Sequence, residues 1–182
     1  LNDKETLKVL TLHYQGLDFL LNRDQCSTSL YISEVRRVSS KHLYLKEFLV
    51  SQDKLILLFN LDSFLQETFR VKSRGNPLLA LLSETDSFNP ETKDFLEKGF
   101  FPHLRIPSLH SGLLAFRITS ATEISEVPLR EIMPQPGILG SCLEKRGLLG
   151  VRFLANGGMQ YLLDLEVLIR GRLLLEKERK GI

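Results

Sequence analysis

Tyr161-Leu162-Leu163-Asp164-Leu165-Glu166-Val167-Leu168-Ile169 repeats, in kind and in order, Leu57-Leu58-Phe59-Asn60-Leu61-Asp62-Ser63-Phe64-Leu65, with Asp164 standing 104 positions after Asn60. Each copy opens with an apolar run, the mark of a strand covered on both faces. A short polar residue follows, and its side-chain oxygen is suited to accept an unpaired N–H at a helix start. Apolar residues then recur at helical spacing, as Leu61, Phe64 and Leu65 with Thr68 do in the first copy, so an amphipathic helix closes each unit. Two further likenesses keep the same order. Ile32-Ser33-Glu34-Val35 recurs as Ile124-Ser125-Glu126-Val127 at an offset of 92, and Gly16-Leu17 has a counterpart in Gly112-Leu113. The chain therefore reads as two copies of a mostly-β unit. The first half covers about residues 1–70 and the second about 76–169, with an inserted segment at 85–110 and a helical tail at 170–182.

Working outward, Leu7 to Tyr14 reads as a strand, Gln15-Gly16 as a turn, and Leu17 to Leu21 as the returning strand of a first hairpin. Tyr31 to Val38 reads as a short strand or a strand end, Lys54 to Phe59 as a buried strand, and Leu78 to Leu82 as another. Asn89-Pro90-Glu91-Thr92 is a helix start, with a capping Asn, Pro at the first position and an acid in the first turn. Gly99 is expected to close that helix, and Phe100 to His110, carrying Pro102 and Pro107, to be a loop or edge segment. Gly150 to Ala155 and Met159 to Leu163 flank Asn156-Gly157-Gly158, which tolerates positive φ and marks a tight hairpin. Units of this size close into barrels, which hides strand edges. The expected fold is mainly β: two small SH3-like or OB-like five-stranded β-barrel subdomains with a few short helices, sharing a groove suited to a partner's helix or strand.

Composition narrows the function. A chain of 182 residues with 43% hydrophobic and 25% charged residues is an ordinary globular protein, and its net charge of +2 points to neither nucleic acid nor an acidic membrane. Apolar stretches such as Leu55 to Phe59 are too short to cross a bilayer. Leu1-Asn2-Asp3-Lys4 carries no signal-peptide core, and Leu1 in place of methionine reads as a trimmed chain. Cys26 and Cys142 lack any paired spacing, in keeping with free thiols in a reducing cytosol. A cytoplasmic location is expected.

Leu113 to Pro136, ending Ile124-Ser125-Glu126-Val127-Pro128-Leu129-Arg130-Glu131-Ile132-Met133-Pro134-Gln135-Pro136, resembles the second-subdomain segment of CheW-like domains. Gly147-Leu148-Leu149-Gly150-Val151 and Met159 to Ile169 are similar to that family's closing hairpin and its leucine-aspartate-leucine-glutamate helix start. Leu10 to Phe19, Ile32 to Val38 and Lys54 to Leu65 follow the family's order in the first half. The resemblance implies a single CheW-like domain over 1–182 and a non-catalytic adaptor of chemotaxis signal transduction. Its implied partners are a chemosensory histidine kinase's regulatory domain and chemoreceptor tips, with neither nucleic acid nor membrane insertion. The chain departs from the family at two places. Val50-Ser51-Gln52-Asp53 replaces an asparagine-leucine-arginine-glycine turn, and Arg37 stands where an acid is common. Both fall where the family's interface charges sit, so Arg36, Arg37, Gln52 and Asp53 are the partner-binding candidates, with partner choice altered.

No reactive constellation competes with that reading. His13, His42, His103 and His110 show no ligand spacing, and Gly140-Ser141-Cys142 lacks the pattern of a nucleophile elbow. Gly157-Gly158 is followed by no Lys-Ser/Thr pair, so it is a turn rather than a phosphate loop. Asp164 reads as a helix cap rather than part of a carboxylate pair with Asp62 or Glu166. Arg36-Arg37 with Lys41 and His42 forms a modest basic patch, and Phe100-Phe101 packs as a satellite core or presents an apolar contact. No catalytic residue, cofactor or metal is expected. The alternative is a small β-barrel protein that binds RNA or single-stranded DNA, a role that uses basic grooves with stacking aromatics.

Overall fold

The computed structural model describes residues 5–37, 47–72, 79–119, 123–134 and 146–171. Val38, Lys41, His42, Gly140 to Cys142 and nearly all of the tail lie outside the described residues. The fold is mainly β, with a few short helices. Among the described residues, twelve strands form two sheets: β1 (Thr6–His13), β2 (Asp18–Asn22), β3 (Thr28–Tyr31), β4 (Val35–Arg37), β5 (Glu47–Ser51), β6 (Lys54–Asn60), β7 (Leu79–Glu84), β8 (Leu109–Ile118), β9 (Glu123–Pro128), β10 (Met133–Pro134), β11 (Leu148–Phe153) and β12 (Met159–Leu163). One sheet runs β10-β11-β12-β2-β1-β9 and the other β4-β5-β6-β8-β7-β3.

The two orders are the same pattern. Each contains an antiparallel three-strand run, β10-β11-β12 or β4-β5-β6, whose last strand lies parallel to the second strand of a hairpin, β2 or β8. That hairpin's first strand, β1 or β7, is flanked antiparallel by β9 or β3. Along the chain, β1 to β6 is thus one repeat and β7 to β12 the other. In space the hairpins are exchanged: β1-β2 sits with β9 to β12, and β7-β8 sits with β3 to β6. The compact units are accordingly Leu1–Asp24 with Ala121–Ile182, and Gln25–Ser120.

Registers align the copies residue by residue. Leu162 lies beside Leu20, as Leu58 does beside Ala115, and Leu21 opposes Leu10, as Phe116 opposes Leu81. Leu10 in turn opposes Ile124, and Leu81 opposes Ser29. Ile124 therefore corresponds to Ser29, so the identical Ile-Ser-Glu-Val tetrapeptides stand three residues out of step. The strand–cap–helix likeness is in step. Asn60 Oδ1 accepts the Ser63 N–H at 2.9 Å to start α1 (Leu61–Phe69), and Asp164 Oδ1 accepts the Val167 N–H at 2.9 Å before the helix at 165–171.

Each sheet curls. In the second unit β3 and β4 are opposite edges, yet only residues 32–34 join them. A flat six-stranded sheet holds its outer strands about 24 Å apart. The four-residue step from Tyr31 to Val35 reaches at most about 14 Å. The same holds for β9 and β10, where the step from Pro128 to Met133 reaches at most about 18 Å and includes a 3-10 turn at Leu129–Glu131. Both sheets must bend until their edges approach, giving two small β subdomains. Their interiors hold matching apolar clusters: Val9, Leu20, Val127 and Leu162 in the first unit, and Leu49, Ile56, Leu58, Ala80, Leu82 and Ala115 in the second. Among the described residues each sheet has six strands, the shortest being two-residue β10 and three-residue β4.

Three local expectations are corrected. Tyr31 to Val38 is not one strand: the chain leaves β3 after Tyr31 and re-enters at Val35 on the opposite edge, because barrel closure needs a break there. Nor does Gly99 close the inserted helix, which starts at Pro90 and continues through a π-turn (Phe95–Phe100) to Leu104. Asn89 Oδ1 accepts the Thr92 N–H at 2.9 Å, as its capping position predicts. Thr92, Leu96 and Phe100 are buried at four-residue spacing. A 3.6-residue helix drifts off that spacing, and the wider π-turn restores it. The outer side carries ion pairs, Lys93 with Asp86 and Glu97, and Lys98 with Asp94. Hydrogen bonds donated to Asp86 and Asp94 hold both ammonium groups above the ordinary lysine value. Leu109 then opens β8, so Phe100 to His110 is mostly ordered secondary structure. Residues 85–108 connect β7 to β8, where residues 14–17 suffice between β1 and β2.

Candidate docking surface

The structure does not bring Arg36, Arg37, Gln52 and Asp53 together. Arg36 and Arg37 oppose Phe48 and Glu47 at the start of β5, whereas Gln52 and Asp53 form the turn at its far end. Arg37 Nε donates to Glu47 Oε1 at 3.2 Å, and Arg117 Nη1 donates to Glu47 Oε2 at 2.6 Å. Glu47 is buried, so this clamp offsets the cost of holding a carboxylate away from water. Arg36 stands 3.6 Å from Glu34 on the exposed surface.

Gln52 and Asp53 both have positive φ, 48° and 61°, as a two-residue hairpin turn of this hand requires. They line an open depression of about 580 Å³ with Lys54, Ser108, His110 and Gly112. His110 Nδ1 there accepts the Gly112 N–H at 3.3 Å. His13 pairs instead with Asp18 at 2.7 Å across the first hairpin. Among the described residues no group of three or more His, Cys, Asp or Glu side chains could hold a metal ion. No described helix is long and apolar enough to cross a membrane.

A different surface stands out in the first unit. Phe153 and Met159 are direct cross-strand partners at the tip of β11-β12, 55% and 39% exposed. Val151 and Tyr161 form the next pair on the same face, and Val151 is also the partner of Met133, 46% exposed on β10. Side chains alternate along a strand, so Met133, Val151, Phe153, Met159 and Tyr161 share one face. Leu162, of the opposite parity, packs with Val9, Leu20 and Val127, while on the Phe153 face Val151 and Phe19 are buried and the rim of Met133, Phe153 and Met159 is exposed. Tyr161 braces it, with its hydroxyl 3.9 Å from Met159 Sδ and its ring centroid 6.0 Å from that of Phe19.

This apolar edge depends on two glycines. A Cβ on Gly150 would stand 2.7 Å from Ile132 Cγ2 and 2.8 Å from the Met133 carbonyl oxygen, so only glycine lets β10 lie this close to β11. Gly157, at φ 82°, forms the hairpin turn in which Leu154 N–H donates to the Gly158 carbonyl at 2.8 Å. Sequence reasoning placed the hairpin but not its exposed face. The available signal was a hairpin tip flanked by Phe153 and Met159, where a solvated turn normally carries polar residues. In the second unit the corresponding β4 positions carry Arg36 and Arg37 in place of Met133 and Pro134.

No protein-family model matches the chain. No curated protein matches it in sequence. Among solved structures, the scaffolding protein CheW of Thermoanaerobacter tengcongensis is similar, with a TM-score of 0.59 over 90% of this chain and 92% of that one, at 10% identity. The chain has a CheW-like fold.

Proposed function

We propose that the whole chain works as a cytoplasmic, non-catalytic adaptor in chemosensory signalling, joining a histidine kinase's regulatory domain and chemoreceptor tips through protein–protein contacts. The observation that carries this reading is the outward apolar edge of Met133, Phe153 and Met159 on a barrel whose fold is that of a scaffolding protein. Contiguous exposed apolar surface is costly in water and marks contact sites. Aromatic residues and methionine are enriched at such interfaces. Arg36 and Arg37 at one end of β5, and Gln52 and Asp53 at the other, are proposed to tune partner choice by charge, which acts mainly on encounter rate and discrimination.

Co-sedimentation tests this. The chain is mixed with the kinase regulatory domain, with receptor-tip vesicles, and with both. Enrichment in the pellet that requires the kinase domain or the tips supports the reading. A folded chain that stays in the supernatant in every mixture refutes the partner assignment.

A further inference from the structure

The exchanged hairpins carry a consequence for self-association. We propose that residues 5–24 swap between two copies of this chain, giving a homodimer in which each molecule's β1-β2 completes the first unit of the other.

The chain passes between its two units at only two places, after Asp24 and after Ser120. Every strand pairing of the hairpin outside itself is made with β9 and β12. A second copy offers the same seat: β12 for β2 in parallel register, and β9 for β1 in antiparallel register. An exchange therefore keeps each of these pairings and alters only the dihedral angles at the crossing, the usual condition for domain swapping. The crossing is a single 3-10 turn, Arg23–Gln25. Asp24 N–H is held by Asn22 Oδ1 at 3.0 Å on the hairpin side. Beyond it, Gln25 accepts the Ser83 hydroxyl, and Ser27 N–H donates to the Leu82 carbonyl at 2.8 Å. These anchors fall on either side of the Asp24–Gln25 link, and Asp24 is exposed.

The same exchange already exists inside one molecule, since each repeat's first hairpin has left its own four strands for those of the other repeat. A swapped dimer also has a bearing on binding. Phe19, which packs against Tyr161 beneath the apolar edge, would come from the partner copy, and two such edges would be tied into one particle.

Cross-linking between two single variants tests the swap. Lys8 and Glu126 are exposed cross-strand partners between β1 and β9. Lys8→Cys and Glu126→Cys chains, each with Cys26 and Cys142 replaced by alanine, are refolded together over a range of concentrations and treated with a short bis-maleimide. Neither variant alone can bridge positions 8 and 126, so a link between them forms only when one chain's hairpin lies in the other. The expected result is an 8-to-126 linked heterodimer, identified by peptide mass, whose share rises about tenfold for a tenfold rise in dilute concentration. The same chains refolded apart and mixed briefly should show none. Absence of that link at every concentration, with both variants folded by circular dichroism, overturns the proposal. So does a dimer linked only at other positions.

Discussion

Replacing Leu20 with alanine separates an exchanged-hairpin fold from two consecutive barrels. Leu20 is 1% exposed and packs with Val9, Val127 and Leu162, so its truncation opens a cavity in the first unit. Three buried carbons at about 0.8 kcal/mol each give roughly 2.4 kcal/mol of lost transfer energy. An unfilled cavity raises the total to about 3–4 kcal/mol, within the range of about 2–5 kcal/mol seen for such changes. Hydrogen exchange followed by mass spectrometry reads where the loss falls. Amides of β9, β11 and β12, more than 100 residues away along the chain, should exchange faster by a factor of roughly a hundred or more, since each 1.4 kcal/mol is about tenfold. Amides of β5 and β6 should hold their protection. If β5 and β6 lose protection while β9 to β12 keep theirs, the hairpin belongs with its own repeat and the exchanged topology is wrong.

Asn60→Ala and Asp164→Ala remove equivalent helix caps, so each should destabilise its own unit by about 1 kcal/mol in denaturant melts. A cost at only one of the two would break the equivalence of the repeats. Gly150→Ala forces a Cβ against Ile132 and the Met133 carbonyl, costing about 1–3 kcal/mol and exposing the β10 amides to exchange. Glu47→Ala leaves the largely buried Arg117 without its carboxylate, a loss of about 1–3 kcal/mol by thermal melts, whereas Glu34→Ala on the exposed surface should fall below about 0.5 kcal/mol.

The elements that were legible in the sequence are those whose cause is local. Asn60, Asp164 and Asn89 announce helix starts because a short polar side chain before an apolar stripe has one good use. Asn156-Gly157-Gly158 announces a hairpin because Gly157 supplies the positive φ its turn needs. What stayed hidden is non-local. Tyr31 to Val38 alternates like a strand, but closing the sheet breaks it at residues 32–34. Gly99 looks like a helix stop, yet the burial of Leu96, Phe100 and Phe101 outweighs its low helix propensity. The exchange of hairpins leaves no mark on local patterning, since either pairing buries the same alternating side chains. Phe153 and Met159 read as strand residues, and nothing in their neighbours marks their side chains as exposed. The candidate charges at Arg36, Arg37, Gln52 and Asp53 came from family positions, and only the register shows them at opposite ends of β5.

The functional claim is tested most directly by titrating the chain into a fluorescently labelled chemosensory kinase regulatory domain, alongside a Phe153→Ser, Met159→Ser double variant. Truncating a central aromatic anchor costs about 2 kcal/mol or more, roughly thirtyfold in affinity. Saturable binding by the native chain, weakened by at least that factor in a double variant with an unchanged circular dichroism spectrum, is the predicted result. Equal affinity of the two proteins would contradict the apolar edge as the docking surface, and no binding by a folded native chain would contradict the adaptor role with this partner.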